Sequence, residues 1–463
     1  MKYSIAIILA LLSSSLFGQM QPFQKKWGNA DLSESGNDVV QLPSGTIFFC
    51  GFETISPGHI AMHVSRHGAD GVHEQTWNFG LSGSTVPLRM KYIDENLLIV
   101  GLVQVPSGDI NGFLMRMDTL GNQLNWLSYG LNNRNEEFKG FDVDDDGNIV
   151  VCGHVSAANN VGNDAVLLKF TPQFNLIWEY TDTYPENDVA HEVAVIDGNE
   201  YVLAGDRQVE NGPYNIYVAR FSTNGVKDWE YFDFNGYNGG STDLLVTSSN
   251  DIVVVGESAG PTWDAFEPTF ARFSGSGEPI VQVYVQSSPF SDAAFAVCEV
   301  SEGLFVLGGY GRNPENDFAN VDAMAVLVNE DGEEINRRYY HFGIGNDIAF
   351  AARNSIETGF LLAGGTGDFD QGFFLVYDYF DELLSLGADR EIPLVTVYPN
   401  PVTRGALLLS DTYFQSTQIT DSQGRVYWVN DPKELIFNHA GWYHLRFFNE
   451  RNELVGETRV IVR

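Results

Sequence analysis

Three aspartates at alternate positions begin the segment DVDDDGNIVVCG, with the spacing of the first ligands of a calcium loop: Asp142, Asp144 and Asp146. A helix–loop–helix calcium loop needs a bidentate acid at its twelfth position, which is Gly153 here. The shorter loop type needs an acid near the ninth position, which is Val150. The closing ligand is missing, so two interpretations remain: a hairpin turn, for which Asp and Gly are typical, or a weak cation site.

A second set of acids recurs near the start of successive predicted inner strands: Asp38, Glu137, Asp188, Asp243, Asp292 and Asp347. Cations recur in the third strands, at Arg116, Lys169, Arg220 and Arg272, and we place His63 in the same register. We interpret these residues as ion pairs or backbone caps that hold neighbouring blades together. The alternative is a carboxylate ring at the mouth of a central channel, which would bind a cation or a polar ligand.

Four of the nine histidines cluster in one short region: His59, His63, His67 and His73. Residues four apart on a strand lie about 13 Å from each other. Zinc needs its ligand nitrogens at about 2 Å from one centre. We therefore predict no metal site here, and the sequence predicts no cofactor.

Aromatic residues recur in the polar, Asn- and Gly-rich loops of one predicted face, and we take six as candidate ligand contacts: Tyr184, Tyr214, Tyr237, Trp263, Tyr310 and Phe369. Exposed aromatic rings among polar groups suit a glycan or a protein partner. The alternative is that these rings pack the loops down onto the sheets below.

A repeat positions all of these residues. Apolar runs end at Gly51, Gly101, Gly153, Gly205, Gly256, Gly308 and Gly364, at steps of 50, 52, 52, 51, 52 and 56 residues. Each run follows a polar turn and lies among further short strands, one of which carries Trp in several repeats. Four short strands in about 50 residues, repeated seven times, predict an all-β, seven-bladed β-propeller over residues 19–385.

The N-terminal segment is predicted to close the ring. Trp27 lies 50 residues before Trp77, so it is in phase with the outer strands, although no blade precedes it. A lone outer strand can complete the last blade and leave no open edge. The segment DELLSLG (381–387) is the rival for this place.

Composition and the N-terminus indicate export. The net charge of −35 disfavours nucleic acid and anionic membranes as partners. Residues 1–18 read as a secretory signal, with Lys2 before a short apolar run. No other long apolar run exists, so we expect no membrane span in the mature protein.

After a linker at 386–394, the 50-residue period stops, and short alternating strands predict a small β-sandwich, immunoglobulin-like, over residues 395–463. This region resembles the C-terminal sorting domain (type A-like) of type IX secretion cargo in Bacteroidota. The resemblance rests on these residues: Tyr398, Pro399, Asn400, Pro401, Gly424, Arg425, Gly441 and Tyr443. It implies passage across the outer membrane by the type IX machinery, with release or surface attachment.

The function that we expect is a secreted or cell-surface propeller that binds an extracellular glycan or protein without catalysis. The alternative is a secreted propeller hydrolase or lyase that acts on polysaccharide. The sequence contains no sialidase-type turn, nucleophile elbow or His-Glu metal helix. We therefore name no catalytic residues.

Overall fold

The computed structural model describes residues 20–383, apart from 30–31, 81–82, 131–132, 157–161, 211, 233–238, 260–265, 286–290, 315–319, 357 and 368–370. Beyond residue 396 it describes the strands of the C-terminal region. The predicted signal (1–18) and linker (386–394) lie outside the described residues. None of the described helices is long and apolar enough to cross a bilayer.

Seven four-stranded antiparallel sheets, the blades, form the propeller. The second strand of each is the apolar run recognised in the sequence, and it is buried because the sheet is covered on both faces by its neighbours. The strands of blades 1 to 3 are β2 Glu34–Gln41, β3 Ile47–Ser56, β4 His59–His67, β5 His73–Phe79; β6 Thr85–Ile93, β7 Asn96–Gln104, β8 Ile110–Asp118, β9 Gln123–Tyr129; and β10 Glu136–Val143, β11 Ile149–Ser156, β12 Asn163–Phe170, β13 Leu176–Thr181.

Blades 4 to 7 continue this order, with one 3-10 turn at Asp197–Asn199. Their strands are β14 Asp188–Ile196, β15 Glu200–Gln208, β16 Tyr214–Phe221, β17 Lys227–Phe232; β18 Gly239–Val246, β19 Ile252–Ala259, β20 Phe266–Phe273, β21 Pro279–Tyr284; β22 Ala293–Ser301, β23 Leu304–Gly311, β24 Asp322–Asn329, β25 Glu334–Tyr340; and β26 Ile348–Asn354, β27 Phe360–Gly365, β28 Phe373–Asp378.

The N-terminal strand completes blade 7. Strand β1, Phe23–Trp27, pairs antiparallel with β28, and Trp27 lies opposite Phe373. The Trp27 ring packs against His67 of blade 1 at 4.8 Å between ring centroids. Closure by the first strand is thus as predicted. The rival segment does not take this place, because residues 381–383 form a helical turn.

A β-bulge interrupts the inner strand of every blade, and the recurring glycine lies beside it. In blade 1, a Cβ on Gly51 would meet the carbonyl oxygen of Ser35, just before the bulge. The corresponding glycine in blade 6 is Gly309 rather than Gly308, since Gly309 meets the carbonyl of Ala293. The period of glycines therefore records a close approach of two backbones in each blade.

The C-terminal strands form two sheets among the described residues. β29 Val397–Tyr398, β30 Leu407–Ser410 and β33 Glu434–Ile436 form one. The other contains β32 Val426–Asn430, β31 Ser416–Asp421, β34 Gly441–Phe448 and β35 Leu454–Val462. Packing of these sheets as a sandwich remains a prediction.

Candidate ligand-binding site

A cavity of about 340 Å³ opens on the face where the inner strands begin, which we call the top face. Blade 4 contributes His191, Asp206 and Tyr214; blade 5 contributes residues 239–242 with Glu257 and Phe266; and blade 6 contributes Phe295. We call this cavity the top-face pocket. Its residues come from three successive blades, because each inner strand presents its bulge toward the centre of the ring.

An acid–imidazole pair is fixed in this pocket. The Nε2 atom of His191 lies 2.9 Å from Oδ2 of Asp206. The other carboxylate oxygen of Asp206 accepts the backbone N–H of Ser241, from the next blade, at 2.8 Å. Gly240 makes room for this carboxylate, because a Cβ there would collide with it. The pair is about one quarter exposed, so a ligand can reach it.

Glu257 lies in the same pocket under different electrostatics. Burial, and then the neighbouring Asp206, raise the pKa of Glu257 above its ordinary value. The same two causes raise the pKa of Tyr214. The pocket therefore presents an acceptor at Asp206 and a carboxyl at Glu257 that holds its proton more readily than an ordinary glutamate.

A row of aromatic rings borders the pocket on the side of blades 6 and 7. Phe295 and Phe350 are the bulge residues of these two blades, and their ring centroids lie 5.8 Å apart. Tyr310 lies 5.8 Å from Phe295 on the other side. Burial, and then Glu257 and Asp292, raise the pKa of Tyr310 to about 12. These half-buried rings offer apolar faces beside the acid–imidazole pair.

Buried ion pairs join the inner strands just below the bulges. The Nε atom of Arg353 lies 2.9 Å from Asp38, and its Nη1 lies 3.4 Å from Asp243, so it connects blades 7, 1 and 5. Arg89 pairs with Glu192 at 2.8 Å. Burial opposes the charge on Arg353, but the three carboxylates outweigh it and raise the pKa of this guanidinium. The charges of Arg89, Arg353 and their carboxylates are therefore paired at this level of the ring.

The six predicted inner-strand acids do not share one register. Asp38 and Asp243 directly follow the bulge and accept backbone N–H bonds from the next blade, from Met90 at 2.9 Å and Val297 at 3.0 Å. Three others lie three residues before the bulge residue, and Glu137 lies one residue nearer to it. We call the buried acids three residues before the bulge the entry acids: Glu34, Glu136, Asp188, Asp292 and Asp347.

The predicted third-strand cations share one register, but His63 does not belong to it. Each cation lies opposite the residue three before the recurring glycine, as Arg116 lies opposite Leu98. In blade 1 the residue at that place is Arg66, opposite Phe48, whereas His63 lies opposite Gly51 itself. The prediction that His63 shares the register of the cations is therefore wrong, and Arg66 holds that position in blade 1. The other three cations occupy the equivalent position in their blades: Lys169, Arg220 and Arg272.

The four clustered histidines have separate partners. His63 lies 3.1 Å from Glu53, and His67 lies 2.9 Å from the hydroxyl of Ser65. Burial lowers the pKa of His67 to about 4. His73 lies beside Thr76, and His59 is the first residue of β4.

The three aspartates of the opening motif also diverge. Asp142 accepts from Lys91 at 2.8 Å and from the N–H of Val195 at 2.9 Å. Asp144 shapes the hairpin turn: it accepts from the N–H groups of Asp146 and Asn148. It also receives Lys169 at 2.9 Å and the hydroxyl of Tyr201 at 3.1 Å. Asp146 contacts the side chain of Asn199 at 3.4 Å.

The predicted aromatic contacts are divided among three places. Tyr214 lines the top-face pocket, and Tyr310 borders it. Tyr184 lies apart, with the guanidinium of Arg207 at 4.6 Å from its ring centroid. Tyr237, Trp263 and Phe369 lie outside the described residues.

Sequence reasoning missed the acid–imidazole pair and the bulge aromatics. The signal that was present is a local break in alternation: in DVAHEVAVI, the polar residues His191 and Glu192 are adjacent within an apolar strand. Such a break marks a bulge, which turns the extra side chain toward a different face.

Neither a family model nor a curated protein matches this chain. Among solved structures, PorZ, a surface component of the type IX secretion system of Porphyromonas gingivalis, matches at 12% identity and a TM-score of 0.43. That match covers 91% of this chain, which spans 59% of the PorZ chain. An ulvan lyase of polysaccharide lyase family 25 matches at 11% identity and a TM-score of 0.49, covering 78% of this chain and 99% of the lyase. A Dyadobacter fermentans protein of unknown function matches at 10% identity and a TM-score of 0.44. That match covers 77% of this chain and 99% of the other protein. Similarities this low identify no ligand or reaction.

Proposed function

We propose that the protein is a secreted propeller that binds a neutral or amino-sugar glycan in the top-face pocket. The observation that carries this proposal is the fixed Asp206–His191 pair beside the aromatic rings of Phe295 and Tyr214. Sugar hydroxyls are good donors to a carboxylate, and the C–H face of a sugar ring packs on aromatic rings. A concave cavity of this size favours a few sugar units over the broad, flatter surface of a protein partner.

Charge selects among glycans. The described lining of the pocket includes Asp206 and Glu257 but neither Lys nor Arg, and the whole chain carries a net charge of −35. A uronate or sulfate group would be repelled at such a site. Elimination from a uronate also needs its carboxylate to be neutralised by a cation. These features favour neutral or amino sugars and argue against the lyase alternative.

The test is calorimetric titration of the full chain with neutral, amino and anionic oligosaccharides. We expect binding of a neutral or amino sugar, and a loss of at least about tenfold in affinity, or about 1.4 kcal/mol, in Phe295→Ala and in Asp206→Asn. Tyr284→Ala, which removes an outer-strand ring of blade 5, is the matched control and should bind normally. Preference for anionic sugars, or equal binding by all four proteins, would contradict the proposal.

One observation keeps the hydrolase alternative as a second candidate. Glu257, with its raised pKa, and Asp206 share the pocket, and glycoside hydrolases use one carboxyl as an acid and a second carboxylate as a base or nucleophile. In that case Glu257 would be the general acid.

The hydrolase candidate is tested on any glycan that binds. Reducing-end release is followed with the parent, Glu257→Gln and Asp206→Asn. Turnover that both variants lower by at least about a hundredfold would establish hydrolysis. Binding without turnover would leave the protein as a lectin-like propeller.

We also propose that the type IX machinery exports the protein through residues 395–463. The support is the resemblance of this region to sorting domains, including Tyr443, which lies opposite Asp421 in the four-stranded sheet. Pro399 to Pro401, Gly424 and Arg425 lie outside the described residues.

Deletion of residues 395–463 tests the export route. We expect the truncated protein to accumulate in the periplasm of a host with a type IX system. Its propeller, which contains all seven blades, should stay folded and unfold cooperatively on heating. Normal amounts of truncated protein in the medium would show that this region is dispensable for export.

A further inference from the structure

Three metal-ligating side chains converge where blade 6 meets blade 7. Asp322 is the first residue of β24, His341 follows β25, and Asp347 is the entry acid of blade 7. One ligand atom from each lies within 4.8 Å of the other two. The Nδ1 atom of His341 is 2.8 Å from Oδ1 of Asp322 and 3.8 Å from Oδ2 of Asp347. Ligands about 2.0 Å from a tetrahedral ion are about 3.3 Å apart, which lies between these two distances.

A buried oxygen at this place has no hydrogen-bond partner. Asp347 is 1% exposed, and its Oδ1 atom has no donor among the described residues. The fully buried hydroxyl of Thr366 lies beside this carboxylate. Buried polar atoms of this kind are rare in native proteins, and a bound ion or water usually explains them.

Two other entry acids have an arginine of the protein itself nearby. Asp292 lies 3.0 Å from Arg337, and Asp188 lies 3.8 Å from Arg207. In blade 4, Arg207 lies opposite Asp188. In blade 7 the residue at the position of Arg207 is Thr366, opposite Asp347. The site has the acids of its counterparts but lacks their cation.

We propose that Asp322, His341 and Asp347 bind one divalent transition-metal ion, of which zinc is the best fit. An imidazole nitrogen with two carboxylate oxygens is a ligand set that zinc accepts in tetrahedral geometry. Calcium prefers six to eight oxygens, and magnesium prefers oxygens and waters, so neither suits this set. The side chain of His341 is 47% exposed, which leaves the fourth position to water.

Neighbouring groups hold the ligands in place. The N–H of Phe342 donates to Oδ2 of Asp347 at 3.0 Å, and the amide of Asn313 donates to Oδ2 of Asp322 at 3.1 Å. Partners of this kind orient metal ligands and usually accompany a real site. The ion would join blade 6 to blade 7.

The test uses the full chain after dialysis against a chelator. Titration with zinc chloride, followed by calorimetry and by thermal unfolding, should show one zinc ion per chain and a rise in melting temperature of a few degrees at about 100-fold excess over Kd. His341→Gln should weaken zinc binding at least about 100-fold, since loss of a mere supporting partner already costs ~10–100-fold. Because His341 is partly exposed, this variant should fold.

His73→Gln is the matched control, because it removes an exposed histidine on β5 and should leave zinc binding unchanged. Asp347→Asn should also abolish the zinc response. The proposal fails if the parent binds no zinc at micromolar concentration, if His341→Gln binds it as tightly as the parent, or if calcium replaces zinc with equal effect.

Discussion

The junction between blades 3 and 4 and the junction between blades 6 and 7 place acids at the same two strand positions. Asp164 and Asp322 each lie two residues before the residue that pairs with the recurring glycine. Asp188 and Asp347 are the entry acids of blades 4 and 7. The partners differ. At the first junction, Arg207 lies 2.5 Å from Asp182 and 3.8 Å from Asp188. At the second, the corresponding residue is Thr366.

The aromatic residue below each acid shows the same substitution. The guanidinium of Arg207 lies 3.7 Å from the ring centroid of Tyr217. The counterpart of Tyr217 in blade 7 is Phe374, and the ring of Phe342 stacks on it at 4.5 Å. A phenylalanine ring thus stacks on the counterpart of the ring that Arg207 contacts at the first junction.

The difference teaches how a repeated fold accommodates buried charge. A buried carboxylate is costly unless a cation or several donors accompany it. At the first junction Arg207 lies near these acids, and at the second His341 is the described side chain that pairs with them. Repeats that look alike in sequence therefore differ in what they require from solution.

The largest effect is expected from opening blade 7. This removes packing within blade 7 and between blades 7 and 1, and leaves the junction between blades 3 and 4 intact. Deleting residues 20–27 exposes the edge of β28 and uncovers Phe49 and Phe373, which contact the Trp27 ring. We expect a loss of at least about 3 kcal/mol, because truncating a fully buried Trp alone costs about 3–5 kcal/mol, and here the half-buried Trp27 is removed together with its strand. Urea unfolding measures it, and an unchanged midpoint would contradict closure by β1.

Removal of Arg207 should be the next largest effect. It is 2% exposed, so Arg207→Met leaves Asp182 without its closest cation in a buried place. Breaking a buried pair from one side costs about 3–5 kcal/mol of the free energy of unfolding. Arg66→Met, which breaks the more exposed pair with Glu74, is the control and should cost less than about 1 kcal/mol. Equal losses in the two variants would show that the buried pair at the first junction contributes no more than an exposed one.

The pH dependence of Asp188 gives a smaller effect with a defined sign. Burial, and then Asp182, raise its pKa to about 8, although Arg207 opposes the shift. The folded state therefore keeps a proton that the unfolded state loses near pH 4. Its contribution to stability is present in acid and is lost as the pH rises from about 4 toward 8.

Asp188→Asn tests this sign. The variant should gain stability relative to the parent as the pH rises across this window, by at most about 1.4 kcal/mol per pH unit. Urea unfolding at pH 5 and at pH 8 measures the difference. Parallel pH curves for the parent and the variant would show that Asp188 titrates normally.

The sequence was sufficient for the repeat and the number of blades, because glycine and apolar runs return at a nearly constant period. It left two candidates for the closing strand, of which the first proved correct. It was not sufficient for the register of charges. Asp38 and Asp188 both look like an acid near the start of an apolar strand. In the structure, Asp38 follows the bulge of its strand, whereas Asp188 precedes the bulge. The pocket also joins residues about 50 positions apart, such as His191 and Thr242, whose proximity follows only from the ring.

The smallest effect is expected at the opening aspartates, two of which have a lysine partner, whereas the acids of the blade 6–7 junction pair with His341. Asp142 has Lys91, and Asp144 has Lys169, so the turn needs no ion from solution. Burial disfavours the charge on Asp144, but Lys169 and Asn148 outweigh it and lower its pKa.

We expect 1 mM calcium to leave the melting temperature of the protein unchanged, within about 1 °C. A bound ion would instead add about 2.7 kcal/mol of stability at a hundredfold excess over Kd. Asp146→Asn is the informative variant, because it spares the buried Asp144 and its turn. A calcium-dependent rise that this substitution abolishes would make the turn a metal site, and would show that paired acids, too, can recruit a cation.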